Sequence, residues 1–212
     1  MNPTMNPSTP SLSLAGIAET IDARSQRQHA EVVAWRRHMH RHPELSFKEV
    51  DTANFLEREL AAIDGLELTR PTPTSLLARL SGGREGRTLA MRADIDALPL
   101  QDRKSCDYAS GNANVMHACG HDGHAAMLLG AARILAGLRA QVPGEVRFFF
   151  QHAEEQHPGG AQQMVDAGVM DGVDQVISAH VMSTLDTGSI AVLDGPALAS
   201  SDRFVLRLRG RG

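Results

Sequence analysis

The sequence predicts an α/β fold, a mainly parallel sheet with flanking helices. Three observations predict it. Some segments repeat apolar residues at three- and four-residue steps, others hold short apolar runs, and the two kinds alternate along the chain. The polar clusters follow the short runs directly. In open α/β sheets ligands gather at the carboxyl ends of strands, so this placement says where chemistry sits.

Residues 1–24 read as a frayed lead-in, because Met1–Pro10 is dense in Pro, Asn, Ser and Thr. From Ser25 to Arg41, Val32, Val33, Trp35, Arg36 and Met39 form a helical stripe, which His42-Pro43 ends. A second helix spans Phe47 to Ile63, with Val50, Ala53, Leu56, Leu60 and Ile63 on its stripe and Gly65 as its stop. Leu66–Thr69, Leu76–Leu80 and Thr88–Arg92 are bounded by Pro, Ser and Gly and read as strands. Ala125–Arg139 returns to helical spacing. Glu145–Gln151 is a buried strand and Ala161–Ala167 a short helix. Gln175–Val181, Ser189–Leu193 and Phe204–Leu208 complete the strands.

Composition excludes several functions. The 212 residues are 42% hydrophobic and 22% charged, ordinary for a soluble domain. Lys+Arg 21 against Asp+Glu 25 leaves a net charge of −4, and aromatics are only 4%. Neither suits nucleic acid. No apolar run reaches the roughly 20 residues of a membrane span. Two Cys without a secretion signal point to a reducing, cytoplasmic setting.

The 10 His cluster instead of scattering. Met116-His117-Ala118-Cys119-Gly120-His121-Asp122-Gly123-His124 precedes a helix. In an extended segment Cys119 and His121 share a face, and thiolate with imidazole suits Zn, Mn, Fe or Ni. Asp122 is placed to cap the helix, whose N-terminus would favour the Cys119 thiolate. Glu154-Glu155 stands at the end of a buried strand. A metal compensates such a pair, one Glu ligating while its neighbour handles the proton of a water. His180 follows another strand. Asp94 and Asp96 share a face, and with Arg92 nearby they read as groups that orient a ligating His. His38, His40 and His42 sit at a helix end, where the dipole favours them, and read as structural. His152 flanks the Glu pair, and Cys106 reads as a spectator.

Together these strings resemble the di-metal amidohydrolases that include hippurate hydrolase, N-acyl-amino-acid amidohydrolase and the plant indole-acetyl-amino-acid hydrolases. The matching stretches are Arg36-Arg37-x-x-His40-x-x-Pro43-Glu44-Leu45, Arg92-Ala-Asp94-x-Asp96-Ala-Leu-Pro99, Met116–His124, Ala153-Glu-Glu155 with Gly159-Gly-Ala161, and His180 with Gly188-Ser-Ile190. The resemblance implies that Cys119, His121, Glu155 and His180 are metal ligands, with Cys119 shared between two ions. It implies Glu154 as general base and proton donor. It further implies two divalent ions (Mn, Zn, Ni or Co), a small N-acyl amino acid as substrate, and a homodimer or higher homo-oligomer. The implied organisation is a partial metal-binding catalytic domain over 25–198, then the start of a truncated α+β dimerisation domain over 199–212, with the last ligating His beyond Gly212. This sequence departs from the family's Gln-Pro-Ala-Glu-Glu at His152, which offers an extra nitrogen near the metals. Two competing readings are a cysteine hydrolase with Cys119 as nucleophile, and a non-catalytic fragment whose metal site is structural or vestigial.

Overall fold

A computed structural model describes residues 12–196 and 204–211. The chain divides into two compact units, Met1–Val181 and Met182–Gly212. The first holds every described α-helix and strand, in the order α1 (Leu14–Arg41), α2 (Val50–Ala61), β1 (Glu67–Thr69), β2 (Leu76–Ser81), β3 (Arg84–Asp94), α3 (His121–Ala136), β4 (Pro143–Gln151), α4 (Gly160–Asp166) and β5 (Gln175–Ser178), with one 3-10 turn at Arg139–Gln141.

The five strands form one sheet in the order β1-β2-β4-β3-β5. β3 pairs in parallel with both β4 and β5, whereas β2 is antiparallel to β1 and β4. Only β2 therefore runs against the other four, and the sheet is mixed. Parallel strands need a crossover: α3 supplies it between the neighbours β3 and β4, and α4 lies on the connection from β4 to β5. β4 and β5 lie on opposite sides of β3. The carboxyl ends of β3 and β4 lie side by side, the place where open α/β sheets gather ligands.

Strand alternation fixes which side chains enter which core. Phe148 and Phe150 point to one face of β4, where they meet Leu76, Ala78 and Leu80 of β2, Trp35 and Met39 of α1, Leu56 and Leu60 of α2, and Leu129 of α3. Phe149 points the other way, onto Leu77, Ala90, Met164 and Val169. Full burial of such side chains contributes about 1.5–3 kcal/mol each.

Helix boundaries differ from the expected ones for local reasons. Residues 14–24, expected to fray, are the first turns of α1. Ser13 caps them, its hydroxyl accepting from the Gly16 N–H at 3.1 Å. The remainder of the expected lead-in, 1–11, lies outside the described residues. α2 starts at Val50, three residues late, because Phe47 adopts φ 66°. The Glu44 carboxylate accepts from the Asp51 and Thr52 N–H groups at 3.2 and 2.7 Å, satisfying first-turn donors. β5 covers only Gln175–Ser178 of the expected Gln175–Val181. Ser189–Leu193 and Phe204–Leu208, expected as strands, have no strand structure among the described residues. A short apolar run becomes a strand only with a ladder partner, and none is described for these. No described helix is long and apolar enough to cross a membrane.

One ion-pair cluster ties β2 to β4. Glu145 accepts from Arg79 Nη2 at 2.5 Å and from Arg147 Nε at 2.6 Å. Burial raises its carboxyl, but the two guanidinium groups outweigh this and hold its pKa below the ordinary 4.5. A depressed carboxylate stabilises the fold above its unfolded pKa and loses that contribution as pH falls through the folded value. Glu145→Gln should therefore lower Tm at pH 7 by about 2–4 °C, for roughly 1 kcal/mol. Thermal scans should show the deficit shrinking below about pH 4.5.

Candidate metal centre

The carboxyl ends of three strands and the start of one helix converge here. β3 ends at Asp94 and leads to Asp96, β4 leads into Glu154-Glu155, β5 leads to His180, and α3 begins at His121. Gly120, immediately before α3, has φ 87°. A Cβ there would lie 2.2 Å from Val181 Cγ2, so glycine meets both a conformational and a steric demand.

This turn corrects two local expectations. Cys119 and His121 do not lie on one extended segment, since His121 is already helical. Asp122 makes no capping bond. It is buried inside the first turn, and it pairs with Arg36 Nε and His40 Nδ1, each at 2.7 Å. His40 is itself buried, with Asp102 3.3 Å from its Nε2. α1 thus anchors the helix that carries His121.

His121 is the common member of three donor groups whose ligand atoms lie within 4.8 Å of one another: Cys119–His121–His180, His121–Glu154–Glu155, and Asp94–His121–His124. Hydrogen bonds sort the imidazoles. Asp96 Oδ1 accepts from His121 Nδ1 at 3.1 Å, which directs the Nε2 lone pair away from Asp96. The Val181 carbonyl accepts from His180 Nδ1 at 2.7 Å, leaving His180 Nε2 3.5 Å from Cys119 Sγ. His124 differs, because both its nitrogens are occupied. Nδ1 donates to Asp94 Oδ1 at 2.6 Å and Nε2 accepts from the Val181 N–H at 3.0 Å. His124 therefore braces Asp94 and the His180 segment.

The donor set fits a dication. His121 Nε2 and Glu155 Oε1 are both buried without a hydrogen-bond partner among the described residues, and they stand 3.7 Å apart. That is too long for a hydrogen bond. Two ligands on one tetrahedral zinc at roughly 2.1 Å stand about 3.4 Å apart. Electrostatics point the same way. Burial raises the Glu154 carboxyl, and Glu155 and Asp94 raise it further. Burial would also raise Asp94, but His124, His121 and Arg92 hold its pKa down to about 2. Burial lowers the His121 pKa, but Asp96, Asp94 and Glu155 outweigh it. Burial together with Glu155 and Glu154 pushes the Cys119 thiol up to about 12. The expected stabilisation of its thiolate by the helix start does not prevail, and a cation is what would make this sulfur a thiolate.

His152 offers no nitrogen to the centre. It is buried, with Nδ1 3.3 Å from Thr72 Oγ1 and Nε2 3.1 Å from Gln163 Oε1. Ser46, which composition did not single out, donates to Asp96 Oδ2 at 2.6 Å, and the Glu155 N–H donates to the same oxygen at 3.0 Å. Its one signal was its place directly after Pro43-Glu44-Leu45.

The sequence profile of peptidase family M20/M25/M40 matches residues 90–195, half of the chain, including Asp94, the Cys119–His124 string, Glu154-Glu155 and His180. The chain belongs to this family. A protein of Geobacillus stearothermophilus, named N-acyl-L-amino acid amidohydrolase, is 57% identical to this M20 chain over 182 residues, covering 86% of it and 49% of the relative. The N-acetylcysteine deacetylase of Bacillus subtilis is 41% identical over 186 residues, covering 87% and 48%. The crystal structure of the Bacillus subtilis YXEP protein, described as a dinuclear metal binding peptidase from the M20 family, matches with a TM-score of 0.77 at 40% identity. It covers 81% of this chain and 48% of that one. The M20 chain spans about half the length of the curated relatives it matches.

Gly120→Ala should place a methyl against Val181 in a left-handed backbone that costs an L residue about 1–2 kcal/mol. With the overlap added, Tm should fall by about 4–8 °C. Adding Val181→Ala should recover the steric part and leave the backbone part, which calorimetry on the single and double variants will separate.

Proposed function

We propose that this chain carries the metal-binding part of a hydrolase that cleaves the amide bond of N-acyl amino acids. The observation that supports the reading is the convergence of Cys119, Glu154, Glu155 and His180 on His121 at the strand ends. The name of the relative at 57% identity supports the substrate class. Cys119, His121, Glu155 and His180 are the residues that would hold two divalent ions, and Asp94 and Asp96 orient imidazoles behind them. The ions, when bound, supply Lewis acidity toward the carbonyl and a lowered pKa for the attacking water.

Glu154 stands beside this set, more exposed than Glu155. Burial and its carboxylate neighbours raise its pKa, toward the range suited to a general base near neutrality. Glu154 takes the proton of the attacking water and delivers it to the leaving nitrogen. The substrate's free carboxylate needs a cationic or donor-rich cradle. The whole enzyme works as a homodimer or larger homo-oligomer in the cytoplasm, with a catalytic domain that begins with α1, eleven residues before the expected Ser25, and runs to residue 198, and with 199–212 opening a dimerisation domain. The cysteine-hydrolase reading loses support from the Cys119 thiol, which is pushed away from the nucleophilic thiolate.

Metal analysis of purified protein should find a divalent transition metal that falls sharply in Cys119→Ser and His121→Ala. Equal metal in wild type and both variants sinks the ligand assignment. Binding should also raise Tm, since it is linked to folding.

In the whole enzyme, Glu154→Gln should keep its metal and lose turnover on hippurate or N-acetyl amino acids by about 10²–10⁴-fold. Activity within a few-fold of wild type would refute the proton-transfer role. Glu155→Gln should instead lose metal. This chain alone should hydrolyse these substrates poorly or not at all; a metal-loaded whole enzyme that hydrolyses none of them removes the catalytic reading and leaves the binding site standing.

A further inference from the structure

Glu49 is fully buried, and among the described residues it has no ion-pair partner. A carboxylate in that position costs free energy unless its hydrogen bonds are specific. Its Oε1 accepts two backbone N–H groups, from Phe47 at 3.0 Å and from Ala153 at 2.8 Å. Both donors belong to the few non-glycine residues with positive φ, Phe47 at 66° and Ala153 at 46°. Such residues cost about 1–3 kcal/mol and persist only where their surroundings over-determine them.

Ala153 is the residue that turns the chain from β4 into the carboxylate pair. Its N–H is held by Glu49 and its carbonyl by the Gly160 N–H at 2.9 Å. Two residues on, the Glu155 N–H reaches Asp96, which Ser46 also holds. The Pro43-Glu44-Leu45 string leads into this bracket. Leu45 bridges Ala97, and the Ala97 N–H donates to the Glu44 carbonyl at 2.8 Å. Segment 44–49 thus holds the chain directly before the pair at Ala153 and shares Asp96 with the Glu155 N–H, yet contributes nothing to the donor set.

We propose that Glu49 is a positioning residue whose carboxylate holds Ala153 in the left-handed turn that aims Glu154 and Glu155 at His121. The proposal rests on the reading that this pair serves a metal site, and its test includes a metal-free measurement. The relevant property is an oxygen acceptor of fixed position. Glu49→Gln retains one and Glu49→Ala does not.

Backbone amide exchange by NMR on the metal-free 212-residue chain is the first readout. In wild type the Ala153 amide should exchange as slowly as the core of β4, although it lies beyond the last strand residue. Glu49→Ala should speed exchange at Ala153 and Glu155 about tenfold, the factor for a lost hydrogen bond near 1.4 kcal/mol, with β2 and β4 core amides unchanged. Glu49→Gln should stay within about threefold of wild type. Cobalt(II) titration is the second readout. Affinity should fall about tenfold in Glu49→Ala, with a changed visible spectrum, and Glu49→Gln should restore both. If Glu49→Ala does not fold, Glu49→Met fills the space without a strong acceptor and takes its place. Fast exchange at Ala153 in wild type overturns the proposal. So does wild-type exchange and spectrum in the acceptor-less variant, or a folded Glu49→Gln as impaired as Glu49→Ala. Wild-type protein that binds no cobalt overturns the metal reading, and amide exchange then still decides the role of Glu49.

Discussion

Carboxylates withdrawn from water must be compensated, and the ends of β3 and β4 bring four of them together. Asp94 and Asp96 are almost wholly buried, Glu155 is largely so, and Glu154 stands beside them. Left alone, such a cluster would protonate or expel its members. Much of the surrounding architecture answers this charge. Arg92 pairs with Asp94 at 3.0 Å, His124 and His121 donate to Asp94 and Asp96, and Ser46 and the Glu155 N–H satisfy a further oxygen. What stays unanswered is concentrated at His121 Nε2 and Glu155 Oε1, two buried atoms that stand 3.7 Å apart without a hydrogen-bond partner among the described residues.

Holding that arrangement requires rigid supports, because a centre displaced by an ångström loses its chemistry. α3 delivers His121 from its first turn, and α1 fixes that turn from behind through Arg36, His40 and Asp122. This second polar network is buried as well, and its imidazole His117 carries no hydrogen-bond partner among the described residues. Burial lowers the His117 pKa to about 4, so the ring stays neutral and adds no charge beside His121. The sheet provides the other support. β3 and β4 are parallel neighbours in register from Thr88–Glu145 to Asp94–Gln151, so their ends open at one level.

Membership of the M20 family agrees with this economy of parts. The profile match begins inside β3 and continues past His180. It therefore spans every residue that converges on His121 and omits α1, α2 and the 44–49 segment. Of these, α1 supplies an anchor of Asp122, and the 44–49 segment supplies those of Asp96 and Ala153.

The sequence by itself determined the α/β class, most element positions and the strings around Cys119, Glu154 and His180. These are local matters: periodicity, Gly and Pro punctuation and residue type are written in consecutive positions. Sequence also missed local details that neighbours impose. Helical residues 14–24 gain their structure from a Ser13 cap, and the expected strands Ser189–Leu193 and Phe204–Leu208 lack a described ladder partner. Only the tertiary structure decided which nitrogen of each imidazole is free, that His124 and His152 are spent on hydrogen bonds, and that Asp122 faces α1. Only it joined Glu49 to Ala153 across 104 positions of chain. The physical reason is that hydrogen bonds and desolvation depend on what folding brings within about 3 Å, and sequence separation carries no trace of that distance.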